Sequence, residues 1–183
     1  MAGATFLISD THFGHAGVCK FTEDDGVTKI RPWDDADEMN EAMVKMWNDT
    51  VRPSDKVYHL GDVVINRRYL PILDRLNGDK VLIKGNHDIF KLEDYTKYFR
   101  DIRSCHKMNE YILTHIPLHP DSLARWCGGN FHGHLHTNRV MRVDIFSDEI
   151  SIDPRYFNVS VEQIGFKPIL FEDAVAKMKE QQV

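Results

Sequence analysis

Cysteine is scarce in this chain of 183 residues: Cys19, Cys105 and Cys127 stand far apart, are odd in number and form no CxxC pair. That excludes a disulfide framework and a thiolate zinc site, and it suits a reducing compartment. Long apolar runs are lacking as well. The first one stops at Ile8 with no basic stretch before it, and nowhere do about 18 apolar residues follow one another. Neither a secretory leader nor a membrane span is expected, and the cytoplasm is the expected compartment. Repeats, low-complexity tracts and Pro/Gly/Ser linkers are missing, so residues 1–183 read as a single domain. Nor is there an excess of positive charge. With 28 acidic and 23 basic side chains the formal net charge is −5, which argues against a general polyanion-coating protein while leaving room for a local basic patch.

What the chain has in quantity is histidine, ten residues in an otherwise ordinary globular composition of 42% hydrophobic and 28% charged residues. A coarse reading of apolar periodicity places strands at Thr5–Ile8, 56–60 and 80–83, then near 101–106, 110–114, 130–132, 139–145 and 167–171. A helix is expected over 35–50, capped by Asp34, with Ala36, Met39, Met43 and either Met46 or Trp47 inward. Others are expected over 67–76, closed by Asn77-Gly78, and over 172–179. Strands and helices interleave in the first half and strands dominate the second, which predicts an α/β protein with more than one sheet layer.

Five of the expected strands lead into one design: an apolar run followed at once by polar residues able to bind metal. These are Asp10-Thr11-His12, Gly61-Asp62, Gly85-Asn86-His87-Asp88, Thr114-His115 and Gly133-His134-Leu135-His136. Loops beyond the carboxyl ends of strands converge in open α/β sheets, so ligands placed there can meet. Residues two apart in extended chain share a side, which predicts that Asp10 faces an ion together with His12, and His134 with His136. Glycines before Asp62, Asn86 and His134 allow close backbone approach. Any one piece is common in proteins; the five together, with two aspartates, one asparagine and several histidines, exceed what one four- to six-coordinate ion can take. The donor types suit Mn²⁺, Fe²⁺, Zn²⁺ or Ni²⁺ rather than Ca²⁺.

The set D-x-H, GD, GNHD, a lone TH and GHLH resembles the calcineurin-like metallophosphoesterases. The opening Ile8-Ser9-Asp10-Thr11-His12-Phe13-Gly14-His15, the run Tyr58-His59-Leu60-Gly61-Asp62 and the closing Phe166-Lys167-Pro168 are similar to its small bacterial and phage members. The resemblance spans roughly residues 4–172. It implies a four-layer α/β/β/α sandwich, two mixed sheets flanked by helices, with a dinuclear site at the strand ends and Mn²⁺ as the expected metal. By motif, Asp10, His12, Asp62 and His136 would hold one ion. Asp62 would bridge to a second, held also by Asn86, His115 and His134, and His87 would be the general acid. Two positions depart from the pattern. Ile65 stands where related phosphatases carry an aspartate that orients this histidine, leaving Asp88 or a backbone carbonyl for that task. Val161-Glu162-Gln163-Ile164 replaces an expected valine-aspartate pair.

The implied reaction is hydrolysis of a phosphate ester by water activated between two divalent ions, with His87 protonating the leaving oxygen. His15, His119 and Arg31 are candidates for substrate phosphate, each with a solvated-surface alternative. His132 is a weaker ligand candidate, His59 reads as a packing or supporting residue, and His106 as an ordinary strand residue. A compact phosphodiesterase or phosphatase acting on a small, possibly nucleotide-derived phosphoester is expected. The alternatives are a DNA or RNA nuclease using Arg67, Arg68, Lys97, Arg100, Arg103 and Lys107, and a non-catalytic protein-binding scaffold, whose ligand positions would be eroded.

Overall fold

The computed structural model describes residues 3–123 and 128–181. Its first strand, β1 (Thr5–Ile8), buries Phe6, Leu7 and Ile8 together, as an interior strand covered on both faces does. A long loop with a 3-10 turn at Val18–Lys20 leads to α1 (Ala36–Thr50). Next come β2 (Lys56–His59), a 3-10 helix at Arg67–Arg75, β3 (Asp79–Ile83), α2 (Leu92–Tyr95) and β4 (Asp101–Arg103). The second half runs through β5 (Cys105–Met108), β6 (Tyr111–Thr114), α3 (Pro120–Leu123), β7 (Gly129–His132), β8 (Met141–Val143), β9 (Ile150–Ile152) and β10 (Tyr156–Asn158). It ends on α4 (Val161–Ile164), β11 (Ile169–Leu170) and α5 (Phe171–Glu180).

One sheet has the order β11-β1-β2-β3-β4 and is parallel except for β11; the other has the order β10-β7-β6-β5 and is parallel except for β5. Both are mixed and both are flanked by helices, as the sequence led us to expect. Strand alternation divides the core into layers. Phe6, Ile8, Val57 and Leu82 face Met39, Met43 and Trp47 of α1 and Leu70 and Leu73 of the 3-10 helix. Leu7, Tyr58, Val81 and Ile83 face the other sheet, where they join Leu113, Phe131 and the α5 residues Phe171, Ala174 and Met178. Ile112, Leu123 and Tyr156 form a smaller cluster beyond the second sheet.

Several local expectations need correction. Asp35, not Asp34, caps α1: its extended backbone lets its carboxylate accept the Asp37 and Glu38 amides, while Asp34 pairs with Lys29. Of the two alternatives offered for the inner face of α1, Trp47 is the buried one and Met46 packs half-buried against the same core. Residues 67–75 wind as a 3-10 helix, consistent with Pro71 removing an amide from its middle. The run 101–106 is split at Ser104 into β4 and β5, which belong to different sheets. Strands β9 and β10 were not anticipated; β8 and β9 pair only with each other, their side chains largely exposed. Among the described residues no helix is long and apolar enough to cross a membrane.

Candidate metal centre

Strands β1, β2 and β3 run parallel in the first sheet, as do β6 and β7 in the second. Just beyond their carboxyl ends lie Asp10, Asp62, Asn86, His115 and His134, so the topology delivers five loops to one place. Asp10 Oδ1 is 3.7 Å from His12 Nε2 and 3.9 Å from His136 Nε2, and the His12 and His136 rings stack at 5.1 Å. Asn86 Oδ1 lies 2.8 Å from His115 Nε2 and 3.0 Å from His134 Nδ1. Asp62 reaches both groups: its Oδ2 is 3.7 Å from His12 Nε2 and 3.4 Å from His115 Nε2. Donor atoms of Asp10, His12 and His136 converge closely enough to hold a cation, and so do those of Asp10, Asp62 and His115. The chemistry fits, because Asp10 Oδ1 and His12 Nε2 are buried yet have no hydrogen-bond partner among the described residues.

The expected extended geometry is not how these side chains come to share a side. Asp10, His12, Asp62, His134 and His136 all have left-handed backbones, with φ of 58°, 47°, 58°, 69° and 50°. Non-glycine residues rarely adopt this conformation, and it persists where the surroundings enforce it. The enforcement is visible. Asp10 Oδ2 accepts from Ser160 Oγ and the His134 amide, leaving Oδ1 to face the imidazoles. Asp88 accepts the amides of Asp62, Val63 and Gly85, which shapes the loop around Asp62. Thr11 donates its hydroxyl to the Val63 carbonyl and so accepts from His59 Nε2, while His59 Nδ1 accepts the Gly61 amide. Two glycines are required by space: a Cβ on Gly85 would sit 2.2 Å from Asp62 Oδ1, and one on Gly133 2.3 Å from Asp10 Oδ2.

The family model for calcineurin-like phosphoesterases matches residues 5–148, a stretch that contains every one of these donors. The chain belongs to the calcineurin-like phosphoesterase family. It is 33% identical over 186 residues to an uncharacterised protein, MJ1445, of Methanocaldococcus jannaschii, covering 96% of this chain and 91% of that one. Among solved structures it resembles AQ665, a protein of unknown function from Aquifex aeolicus, at 24% identity and a TM-score of 0.64, covering 96% of this chain and 99% of that one. A nuclease, MPE, of Pseudomonas putida is more distant, at 20% identity and a TM-score of 0.45 over 72% of this chain and 61% of that one. Family membership and the donor clusters together support divalent-metal binding at these strand ends.

Electrostatics keep the two aspartates in ligand form, while the same carboxylates favour the protonated form of two of the imidazoles. Burial works to raise the Asp10 carboxyl, but His12, His115 and His136 outweigh it and hold it well below the usual carboxylate range. The same contest, decided by His115, lowers Asp62. Burial opposes the charged form of His115, yet Asp62 and Asp10 raise it; burial likewise opposes that of His136, which Glu162 raises. Burial and His115 lower His134. The Leu60 carbonyl accepts from His115 Nδ1 and the Glu162 carboxylate from His136 Nδ1, so in both neutral rings Nε2 carries the lone pair facing the aspartates.

The other sequence candidates fall into different places. The His87 amide donates to Asp62 Oδ1, and its exposed ring lies 5.6 Å from that of His12. Asp88 does not orient that ring, since its carboxylate is turned into the three backbone amides. His15 lies beside His12, ring centroids 5.8 Å apart, with Phe21 on its other side. Arg31 is no loop arginine awaiting phosphate: it is 0% exposed and bonded to the Asp10 and Thr11 carbonyls and to Glu162. His119 is exposed and accepts the Asp121 amide at the start of α3, and no contact among the described residues brings it to the cluster. His132 is buried, donates Nδ1–H to the Gly133 carbonyl and is not one of the converging donors. His106 does more than sit in a strand, stacking on Tyr58 of the facing sheet at 4.9 Å. Sequence reasoning gave Asp88 to the His87 ring rather than to the backbone amides, and missed Ser160 as a support. It noticed Glu162 only as a departure from pattern.

Proposed function

We propose that this chain hydrolyses a small phosphate ester at a centre of two divalent ions, one held by Asp10, His12, Asp62 and His136, the other by Asp62, Asn86, His115 and His134. The observation that carries this reading is the place of Asp62 Oδ2, within 3.7 Å of His12 Nε2 and 3.4 Å of His115 Nε2, between the two donor groups. Two ions bound there supply a nucleophilic water near neutral pH and offset the charge on phosphate oxygens. Carboxylate, imidazole and amide donors suit Mn²⁺, Fe²⁺, Zn²⁺ or Ni²⁺, and Mn²⁺ is the ion the family resemblance favours.

The chain's own residues do the rest. His87 is the general acid: its backbone is pinned to Asp62, while its ring is exposed and has no side-chain hydrogen bond among the described residues. A ring so placed is free to carry a proton and release it to the departing ester oxygen, a contribution of about 10²–10⁴-fold. His15, beside His12, is placed to contact a phosphate oxygen; burial and the neighbouring His12 lower its pKa. Arg31 and His119 take no part in substrate binding.

A small substrate is favoured over nucleic acid by what the basic residues do. Arg67 pairs with Asp94, Arg100 with Asp79, and Arg103 with Asp101. Three of the six basic candidates thus have a carboxylate beside them, which lowers the positive charge offered to a phosphate backbone. Purified protein with Mn²⁺ is tested on bis(p-nitrophenyl) phosphate, p-nitrophenyl phosphate and single- and double-stranded nucleic acid. Turnover of a small ester, lost on chelation and restored by Mn²⁺, is expected. Preferential cleavage of nucleic acid favours the nuclease reading. No turnover of any substrate with both ions bound favours a scaffold.

A further inference from the structure

Arg31 is fully buried, the side chain of Glu162 is 3% exposed, and the two form an ion pair almost shut off from solvent. Such a pair gives little net stability, because desolvating two charges roughly cancels their attraction. Its contacts point to a different use. Glu162 Oε1 accepts from Arg31 Nε at 2.9 Å, from Arg31 Nη2 at 2.6 Å and from His136 Nδ1 at 3.0 Å. The same guanidinium donates to the Thr11 carbonyl at 2.9 Å and the Asp10 carbonyl at 2.7 Å. These carbonyls belong to the left-handed segment that carries Asp10 and His12. One buried cation therefore ties the loop bearing Asp10 and His12 to the carboxylate behind His136.

We propose that Glu162, clamped by Arg31, is a positioning residue for the Asp10–His12–His136 ion and sets its affinity separately from that of the other ion. The inference rests on the two-ion reading above. A carboxylate behind a ligating imidazole fixes its tautomer and orientation and makes it a stronger donor. The other donor group is built differently. His115 leans on the neutral Leu60 carbonyl and His134 Nδ1 faces Asn86, so among the described residues no carboxylate stands behind either ring. Each group also has a solvent-facing donor, Asn86 in one and the one-third-exposed His136 in the other, so the carboxylate brace is what distinguishes them. The consequence is a braced, tightly held ion beside a more exchangeable one.

The test is calorimetric titration of the metal-free protein with Mn²⁺, comparing wild type with Glu162→Gln, which keeps the side chain's shape and removes its charge. Wild type is expected to bind two ions. In the variant one ion weakens about 10–100-fold while the other is unchanged. Its activity is recovered by excess Mn²⁺ with KM unaltered. Unchanged affinity for both ions in Glu162→Gln overturns the proposal and leaves the pair a structural one. A wild type that binds no ion removes the two-ion reading itself, a different failure. If Glu162→Gln does not fold, nitrogen NMR of the Zn²⁺-loaded wild type decides: a His136 ring protonated at Nδ1 is expected, and one protonated at Nε2 overturns the assignment.

Discussion

The backbone amide of His87 donates to Asp62 Oδ1 at 2.9 Å, which fixes the proposed proton donor to the carboxylate standing between the two donor groups. The other oxygen of Asp62 faces His12 and His115, so one side chain links the proposed acid to both donor groups. The link runs through the His87 main chain, and replacing its ring therefore leaves the donor groups in place. For His87→Ala we expect kcat to fall about 10²–10⁴-fold with metal content unchanged. Metal analysis beside steady-state rates checks this, and loss of an ion from the variant would falsify the assignment of His87 as acid.

Gly133→Ala and Gly85→Ala press a methyl group against side-chain oxygens of the loop supports, Ser9 Oγ and Asp10 Oδ2 in the first case and Asp62 Oδ1 in the second. Each is expected to cost about 1–3 kcal/mol of stability, as overpacking does. Each should also cost far more in metal affinity than its melting shift suggests. Denaturant unfolding and Mn²⁺ titration of the same samples separate the two effects; a variant with normal Mn²⁺ binding counts against the crowded geometry.

Asp88→Ala removes the acceptor of three amides, those of Asp62, Val63 and Gly85. A loss of about 3 kcal/mol or more is expected in urea unfolding of the metal-free chain, since buried unsatisfied amides each cost about 1–3 kcal/mol. Asp88→Asn keeps one acceptor oxygen and should lose less. Equal loss in both variants would mean that the charge, rather than the hydrogen bonds, matters.

Burial pushes His59 down from 6.5 to about 3, so the folded protein keeps it neutral where the unfolded chain would protonate it. Its contribution is fully present above pH 6.5 and declines as the pH falls from there toward 3, because the unfolded state binds the extra proton. Metal-free wild type should therefore lose stability between pH 7.5 and pH 5, and His59→Gln should lose less over the same interval. An identical slope in the two proteins would show that other groups set the acid sensitivity.

How much of this was legible in the sequence depends on the range of the interaction. The strand-end motifs are local, an apolar run and then a donor, and Asp10, Asp62, Asn86, His115 and His134 were placed together from pattern and resemblance. Their left-handed backbones were not legible, because the constraints come from partners far along the chain, such as Ser160 on Asp10. Glu162 looked like a departure since its partners, Arg31 and His136, are long-range. Arg31 was misread for the same reason: a lone arginine in a loop shows no sign of burial. Strand β9 escaped because its three residues have no buried face to impose alternation on their sequence.

The two-ion account is tested most directly by following hydrolysis of bis(p-nitrophenyl) phosphate as Mn²⁺ is added in known equivalents to the metal-free protein. The account predicts a rate that climbs to its plateau at two equivalents per chain. A plateau at one equivalent, or no hydrolysis with two ions bound, would contradict it.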